Sequence, residues 1–298
     1  MPVILAKKTG FCFGVKRAVE MAQKALTKDR PIYSLGSIIH NEQVVKGLSK
    51  KGLKVIGSID EIEKGVLVIS SHGLSPKVKE KIAERGIRII DTTCPFVLKA
   101  QETAKRLSEE GYVVIIVGDV NHPEVKALID TASENALVVK DPEEALSLKL
   151  SRKDRVSVIS QTTQSTGNFR EVVKAIARKN PKELLVYNTI CKDAELRQGH
   201  ASKLAREVDV MLVVGGRNSA NTKRLLEVCG QNCKAAHLVE TAAELKKSWF
   251  EDAKKIGVTS GASTPDWIVE QVVKKVKLIS SKSEYRNSKQ ARNSNFEN

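Results

Sequence analysis

The chain has 298 residues, enough for two or three domains with a sizeable buried core. Five cysteines, an odd number, do not suit a secreted disulfide framework and indicate a reducing compartment. The formal charge of +15 is dispersed over predicted helix faces, and aromatic residues make up 4%, too few to stack on bases. We therefore expect no nucleic-acid partner.

The sequence shows no pattern of a membrane span or of an N-terminal secretory signal. No run of about 18 apolar residues is present, and the N-terminus passes from Met1 straight into a strand pattern. These features predict a cytoplasmic protein with no membrane partner. From residue 280 the chain is polar and without apolar period, which predicts a disordered tail over 280–298.

The first segment alternates short β-branched runs with helical patterns, as mainly parallel α/β proteins do. The run at 3–6 leads to Thr9-Gly10-Phe11-Cys12. The run "IYSLG" precedes His40, "LKVI" precedes nothing polar of note, and "VLVIS" precedes His72.

The second and third segments follow the same order. In the second, "IRIID" leads to Thr92-Thr93-Cys94, and the later polar strand ends are His122 with Glu124 and Gln161-Thr162-Thr163. In the third, "LLVYN" leads to Thr189-Ile190-Cys191, and the later polar strand ends are Ser219 with Asn221, and then Ser263. The runs "ALVV" and "AHLV", like "LKVI" in the first segment, precede nothing polar of note, and we call these three the plain strands.

The pattern predicts three copies of one α/β unit, each with a mainly parallel four-stranded sheet. The expected domains are 1–93, with residues 1–12 as the strand leading to the first cysteine, 94–190 and 191–279. Groups just past the carboxyl ends of parallel strands line the ligand crevice of open α/β sheets. Three such crevices facing one another predict a trefoil around a central cavity.

Three thiols at equivalent strand ends could bind zinc or an iron–sulfur cluster, or two of them could form a redox dithiol with the third to spare. No C-x2-C pair is present, and such pairs are usual in structural zinc sites. A cluster normally takes four cysteines, so three would leave one iron open to a substrate oxygen. Cys229 and Cys233 do not occupy this repeated position after a strand, and we interpret them as buried or idle thiols.

The other polar strand ends suit an anionic ligand. Imidazoles, hydroxyls and an amide are hydrogen-bond donors for a phosphate, and predicted helix N-termini at 41, 76, 123, 166, 219 and 265 favour negative charge. Glu124 is the one carboxylate of the "NHPEV" loop, and burial would suit it to carry a proton. Its alternative interpretation is a first-turn acid that favours the helix dipole after Pro123.

Taken in order, these segments resemble one known family from residue 1 to about 279. The chain is similar to the 4-hydroxy-3-methylbut-2-enyl diphosphate reductases of the methylerythritol phosphate route to isoprenoids. The motifs that carry the resemblance are "TGFCFGVKRAV", "IHN", "HGLSP", "DTTCP", "NHPEV", "QTT", "NTIC", "RQ", "NSAN", "RL" and "GVTSGASTPD".

The resemblance implies a trefoil of three α/β domains around a [4Fe-4S] cluster held by Cys12, Cys94 and Cys191. It implies that the diphosphate is bound by His40, His72, Ser219, Asn221 and Ser263. His122 would bind substrate nearby, Glu124 would supply protons by way of the substrate hydroxyl, and Thr162 would help to place that hydroxyl.

The implied reaction removes an allylic hydroxyl with two electrons and two protons and gives isopentenyl and dimethylallyl diphosphates. The electrons would come from a low-potential donor of the ferredoxin or flavodoxin type. Two other interpretations stay open at this stage: a cluster- or zinc-binding regulatory protein without turnover, and a protein that binds polyanions.

The chain departs from the pattern of that family in three places. Asn121 stands where glycine is usual, Ala220 replaces a serine, and the Ala-Thr that follows the third cysteine is absent from Lys192-Asp193-Ala194-Glu195.

Overall fold

The computed structural model describes residues 1–27 and 30–279. The predicted tail at 280–298 lies outside the described residues. The strands are β1 (Val3–Leu5), β2 (Ile32–Leu35), β3 (Leu53–Ile56), β4 (Val66–Ile69), β5 (Arg88–Asp91), β6 (Val113–Val117), β7 (Ala136–Val139), β8 (Arg155–Ser160), β9 (Glu183–Val186), β10 (Val210–Val214), β11 (Ala235–Val239) and β12 (Ile256–Ser260).

The α-helices begin close to the positions that the sequence predicts. They are α1 (Phe13–Leu26), α2 (Glu42–Lys50), α3 (Pro76–Glu84), α4 (Pro95–Glu109), α5 (Pro123–Ala132), α6 (Pro142–Ser147), α7 (Thr166–Ala177), α8 (Lys192–Ala205), α9 (Ala220–Gly230) and α10 (266–279). Within residues 1–27 and 30–279, none of the helices has the length and apolar character that crossing a bilayer requires.

The strands form three four-stranded sheets in which every pair is parallel. The sheet orders are β3-β2-β4-β5, β7-β6-β8-β9 and β11-β10-β12-β1. Each order places the plain strand at one edge and the cysteine-ended strand at the other, with the two polar-ended strands between them. The predicted α/β class of three small parallel sheets is therefore confirmed.

One strand, β1, belongs to a different sheet from the one that the expected segments give it. β1 pairs with β12, with Val3 opposite Ile256, so the strand before Cys12 completes the sheet of the third segment rather than the first. β5 and β9 likewise complete the sheets of the segments that precede them. Each cysteine-ended strand thus closes a preceding sheet, and β1 fills the matching edge of the last sheet. The domain boundaries themselves stay a prediction.

The chain divides into two compact units. One comprises residues 1–11 and 196–279 and contains the β11-β10-β12-β1 sheet, and the other is 12–195 and contains the two remaining sheets. In the first unit, the faces of β10 and β12 pack on an apolar cluster that includes Phe250, Ile268 and Val272. In the second, β6 and β8 are almost fully buried between two such clusters.

Burial on both faces explains why the central strands read as continuous apolar runs. β4 is buried at every position, whereas the edge strand β3 exposes Lys54 and Val55. The plain strands of the sequence are therefore edge strands. They lie at the edge opposite the cysteine-ended strand, on the far side of the two polar-ended strands.

Candidate active site

The polar strand ends of residues 12–195 lie at the points where the strand order reverses. β2 and β4 are neighbours, but the chain leaves β2 towards β3 and leaves β4 towards β5, on the opposite side. Such reversals open a crevice at the carboxyl ends of the strands. His40 and His72 follow β2 and β4, and His122 and Thr162 follow the equivalent pair, β6 and β8.

His40, His72 and His122 form one cluster. The ring centroids are 4.2 Å apart for His40 and His72, 5.5 Å for His40 and His122, and 5.4 Å for His72 and His122. One ring nitrogen from each lies within 4.8 Å of the others, close enough to hold a single metal ion. Burial lowers the pKa of His72 well below 6.5, and the neighbouring His40 and His122 lower it further, so His72 is neutral at pH 7.

His122 caps the helix that carries Glu124. The Nδ1 atom of His122 accepts a hydrogen bond from the backbone N–H of Glu124 at 3.2 Å, and Pro123 is the first residue of α5. A proline costs nothing at this position, since its missing N–H would have no helical partner. Because Nδ1 accepts this bond, a proton on the ring lies on Nε2.

Glu124 is 1% exposed and is held by a single neighbouring residue. Its carboxylate oxygens accept hydrogen bonds from the backbone N–H of Thr162 at 2.6 Å and from Thr162 Oγ1 at 2.9 Å. Burial raises the pKa of Glu124 to about 7, although both of these hydrogen bonds act in the opposite direction. The carboxyl group therefore exchanges a proton near neutral pH, as a general acid must.

Each of the three cysteines lies at the N-terminal end of a helix and is partly buried. Sγ of Cys12 accepts from the backbone N–H of Val15 at 3.4 Å. The backbone N–H of Cys94 donates to Ser71 O at 3.0 Å, and that of Cys191 donates to Thr162 O at 2.8 Å. The last bond ties the third cysteine to the residue that holds Glu124.

Cys94 and Cys191 lie close enough for the charge of one thiol to affect the other. Burial raises the pKa of Cys94, and the charges of Cys191 and Glu124 raise it further. Burial also raises the pKa of Cys191, with contributions from Asp193 and Glu124. A bound metal needs thiolates, and metal binding releases such protons. The helix N-termini then favour the negative charge that results.

Gly14 makes room for the second thiol. A Cβ atom at this glycine would lie 2.5 Å from Sγ of Cys94 and 3.1 Å from its Cβ, so no larger residue fits without a shift. Sequence reasoning missed this residue. The available signal was a glycine in the first turn of a predicted helix, two residues after Cys12, where glycine costs up to about 1 kcal/mol relative to alanine.

Gly14→Ala tests whether this contact matters for the cysteines. If the three cysteines hold the iron–sulfur cluster that the family resemblance implies, the variant should hold less iron than the wild type after anaerobic reconstitution, because the new methyl group displaces the Cys94 thiol. The measurement is iron and sulfide per chain. Gly47→Ala in α2 is the matched control, since nothing lies within 4 Å of a Cβ there. It should keep full iron content and gain about 0.5–1 kcal/mol of stability.

The remaining predicted site residues lie in the unit of 1–11 and 196–279. Ser219 is the N-cap of α9, with its Oγ accepting from the N–H of Thr222 at 3.3 Å. Asn221 is 4% exposed, and neither its Nδ2 nor its Oδ1 has a hydrogen-bond partner among the described residues. Ser263 is also buried. An amide buried without partners costs free energy, so Asn221 points to a polar ligand.

Two departures from the family pattern have a structural account. The described non-glycine residues with positive φ are Ser133 and Asn180, so Asn121 occupies backbone that does not require glycine. Its N–H donates to Asp119 Oδ1 at 2.9 Å, which closes the turn before His122. Glu195 is exposed and accepts from Thr166 Oγ1 at 3.3 Å, so this acid points to solvent.

Cys229 and Cys233 behave as the sequence analysis expects of buried thiols. Both are buried in an apolar cluster with Leu225 and Met211. Burial raises the pKa of Cys229 to about 12, and the neighbouring Cys233 adds to this shift. A thiol with so high a pKa neither attacks nor binds metal readily at neutral pH.

The family model described as "LytB protein" matches residues 3–277. The chain belongs to the LytB protein family. A LytB relative from Geobacter metallireducens is 46% identical over 281 residues, which cover 94% of this chain and 99% of the relative, and it is named 4-hydroxy-3-methylbut-2-enyl diphosphate reductase. A relative from Pelobacter propionicus with the same name is also 46% identical, covering 95% of this chain and 100% of the relative.

Solved structures of LytB relatives agree with this assignment. The E-1-hydroxy-2-methyl-but-2-enyl-4-diphosphate reductase of Plasmodium falciparum superposes with a TM-score of 0.87 at 29% identity, covering 93% of this chain and 87% of that one. A second structure, titled as the terminal enzyme of the non-mevalonate pathway, has a TM-score of 0.65 at 41% identity, covering 93% and 99% of the two chains.

Proposed function

We propose that this LytB protein is a 4-hydroxy-3-methylbut-2-enyl diphosphate reductase. The substrate takes up two electrons and two protons, its allylic hydroxyl leaves as water, and the products are isopentenyl and dimethylallyl diphosphates. The observation that carries the proposal is a buried carboxyl group, Glu124, with a pKa of about 7. It lies close enough to the thiols of Cys94 and Cys191 to affect their ionisation.

The cofactor is proposed to be a [4Fe-4S] cluster held by Cys12, Cys94 and Cys191. The residues present fit it: three partly buried thiols lie at helix N-termini, and Gly14 leaves space that a Cβ would fill beside Cys94. When bound, such a group supplies single electrons and an iron position with no cysteine ligand. The buried Cys229 and Cys233 belong to the other unit and are not part of this set.

The histidine cluster is proposed to bind the diphosphate and the substrate beside it. Three imidazoles within 4.8 Å of one another could also hold a cation. However, His40 directly precedes Asn41, the N-cap of α2, and His122 is itself the N-cap of α5. Helix N-termini carry partial positive charge and favour anions over cations. Imidazoles that donate N–H groups to phosphate oxygens fit both the clustering of the three rings and the position of two of them at helix N-termini.

Glu124 is proposed to donate a proton to the substrate hydroxyl, and Thr162 to help position that hydroxyl. Glu124 holds a proton on its buried carboxyl group, and Thr162 fixes both carboxylate oxygens from one residue. Hydroxide is a poor leaving group, so protonation at the substrate hydroxyl lets it depart as water. Binding the remote diphosphate provides the free energy that orients this hydroxyl.

In the other unit, Ser219, Asn221 and Ser263 are proposed to bind phosphate oxygens. The amide of Asn221 supports this role, since both of its polar atoms lack partners in the part of the chain that the structure describes. The donor of the two electrons is proposed to be a low-potential carrier of the ferredoxin or flavodoxin type. A regulatory protein without turnover would have no use for a buried carboxyl group that exchanges its proton near pH 7.

Anaerobic reconstitution followed by a turnover assay tests the proposal. We expect the chain to bind iron and sulfide and to reduce 4-hydroxy-3-methylbut-2-enyl diphosphate with methyl viologen, the products being identified by chromatography. A reconstituted protein that holds the cluster and yields no isopentenyl or dimethylallyl diphosphate would favour the regulatory alternative. A protein that binds no iron would contradict the proposed cofactor as well.

A further inference from the structure

The first turns of α1 and α4 carry the same surface pattern beside two of the proposed cluster ligands. In each helix an exposed phenylalanine follows the cysteine by one or two residues, and a lysine follows the phenylalanine by three. The four residues, here called the Phe–Lys surface, are Phe13, Lys16, Phe96 and Lys99. Residues three apart on a helix share a face, so each phenylalanine lies beside its lysine.

The two helix starts adjoin one another within residues 12–195. Gly14 in α1 faces the Cys94 thiol at the start of α4. A Cβ atom placed on Gly14 would lie 2.5 Å from that sulfur atom. Arg17 Nη1 also donates to Thr93 O at 3.1 Å, one residue before that cysteine. Phe13 and Phe96 therefore both belong to the surface around the cysteines rather than to distant parts of the unit.

Phe13 is 67% exposed and Phe96 is 43% exposed. Single exposed apolar residues are common on protein surfaces and need no explanation. An exposed phenylalanine in the first turn of each of two adjoining helices is less usual. Aromatic residues are enriched where partner proteins dock, because they bury a large area on contact.

The charge of this surface is positive. Neither α1 nor α4 has an acidic residue in its first turn. Among the described residues, no carboxylate forms an ion pair with Lys16 or Lys99, whereas Lys105, further along α4, pairs with Glu109 at 3.8 Å. Lysine near a helix N-terminus is disfavoured by the helix dipole. The start of α8 differs, since it carries Asp193 and Glu195.

We infer that the Phe–Lys surface docks a small acidic one-electron carrier. The inference rests on the proposed function, because only a reductase needs such a partner here. Two reduced carriers each lose one electron, and the substrate takes up these two electrons with two protons as its hydroxyl leaves as water. Unpaired lysines attract an acidic partner over long range, and the phenylalanines provide short-range contact once it has docked.

Binding of a purified acidic bacterial ferredoxin to the cluster-loaded protein tests the inference. The variants are Lys16→Gln with Lys99→Gln, and Phe13→Gln with Phe96→Gln, and iron content is checked in each. We expect each pair to weaken the Kd roughly tenfold at low ionic strength. The effect of the lysine pair should shrink as salt is added, and that of the phenylalanine pair should persist.

Lys105→Gln is the matched control, on the same helix and already paired with Glu109. It should bind ferredoxin as the wild type does. Turnover with methyl viologen should stay within about twofold of wild type in every variant, because a small donor needs no docking surface.

Three outcomes separate the possibilities. Variants that bind ferredoxin as tightly as the wild type, while the wild type turns over with methyl viologen, overturn the docking surface and leave the proposed function standing. Loss of methyl viologen turnover at unchanged ferredoxin affinity overturns it too, since the residues would then act on the site itself. A wild type that turns over with neither donor contradicts the proposed function, and the docking inference falls with it.

Discussion

Glu124→Gln is expected to keep the proposed iron–sulfur cluster and to lose activity by about 10²–10⁴-fold, the range of a general acid. Glutamine is close to glutamate in shape and can accept the hydrogen bond from the Thr162 N–H, but it carries no proton to release near pH 7. Cluster content, measured as iron and sulfide per chain, should equal that of the wild type. Equal cluster content with near-normal turnover would contradict the role of Glu124.

The pH dependence of the wild type follows from the same carboxyl group. Its pKa of about 7 means that the protonated form dominates at pH 6 and the ionised form at pH 8. If the protonated form supplies the proton, kcat falls as pH rises through about 7. Thr162→Val should move this midpoint upwards, because the hydrogen bond from Thr162 Oγ1 stabilises the carboxylate. A midpoint unchanged in that variant would contradict the assignment to Glu124.

Stability gives a second readout of Glu124 that does not depend on activity. A carboxyl group whose pKa rises from 4.5 to about 7 on folding binds its proton more tightly in the folded state. Its contribution to the free energy of unfolding is therefore fully present below about pH 4.5 and is lost as pH rises through about 7. The shift corresponds to roughly 3 kcal/mol. Glu124→Gln should accordingly be more stable than the wild type at pH 8, with the difference shrinking at pH 5.

Cys191→Ser is expected to lose stable cluster binding and at least about a thousandfold in activity, since a metal centre contributes several kcal/mol to its reaction. Serine is nearly isosteric and can keep the backbone bond to Thr162 O, so the fold should survive. Iron content, visible absorption and circular dichroism measure the two effects separately. A serine variant with full iron content would show that this residue is not a ligand.

Cys229→Ala is the matched control for cysteine chemistry. It removes a thiol that is fully buried in the other unit, in contact with apolar neighbours. We expect a loss of about 1 kcal/mol of stability from the deleted buried atoms and no change in iron content. Loss of the cluster in this variant would mean that the two sets of cysteines had been assigned to the wrong roles.

The sequence determined the order of the elements and the chemistry at their ends. Continuous apolar runs marked the buried parallel strands, and residues such as Ser75 and Ser165 cap helices near the predicted positions. Periodicity and capping are local properties, so they can be read without knowing what a strand pairs with. The repeated spacing of Cys12, Cys94 and Cys191 was likewise visible along the chain.

Only the tertiary structure decided which strands share a sheet and which residues touch. β1 pairs with β12, which lies near the other end of the sequence. No local pattern indicates this pairing, because an edge strand can complete any sheet that has an open edge. The contact of Gly14 with Cys94 and the pKa of Glu124 also depend on packing between distant segments. Burial of a charge is a property of the folded surroundings, and so the proton chemistry of this site is fixed by the fold and not by the residue type alone.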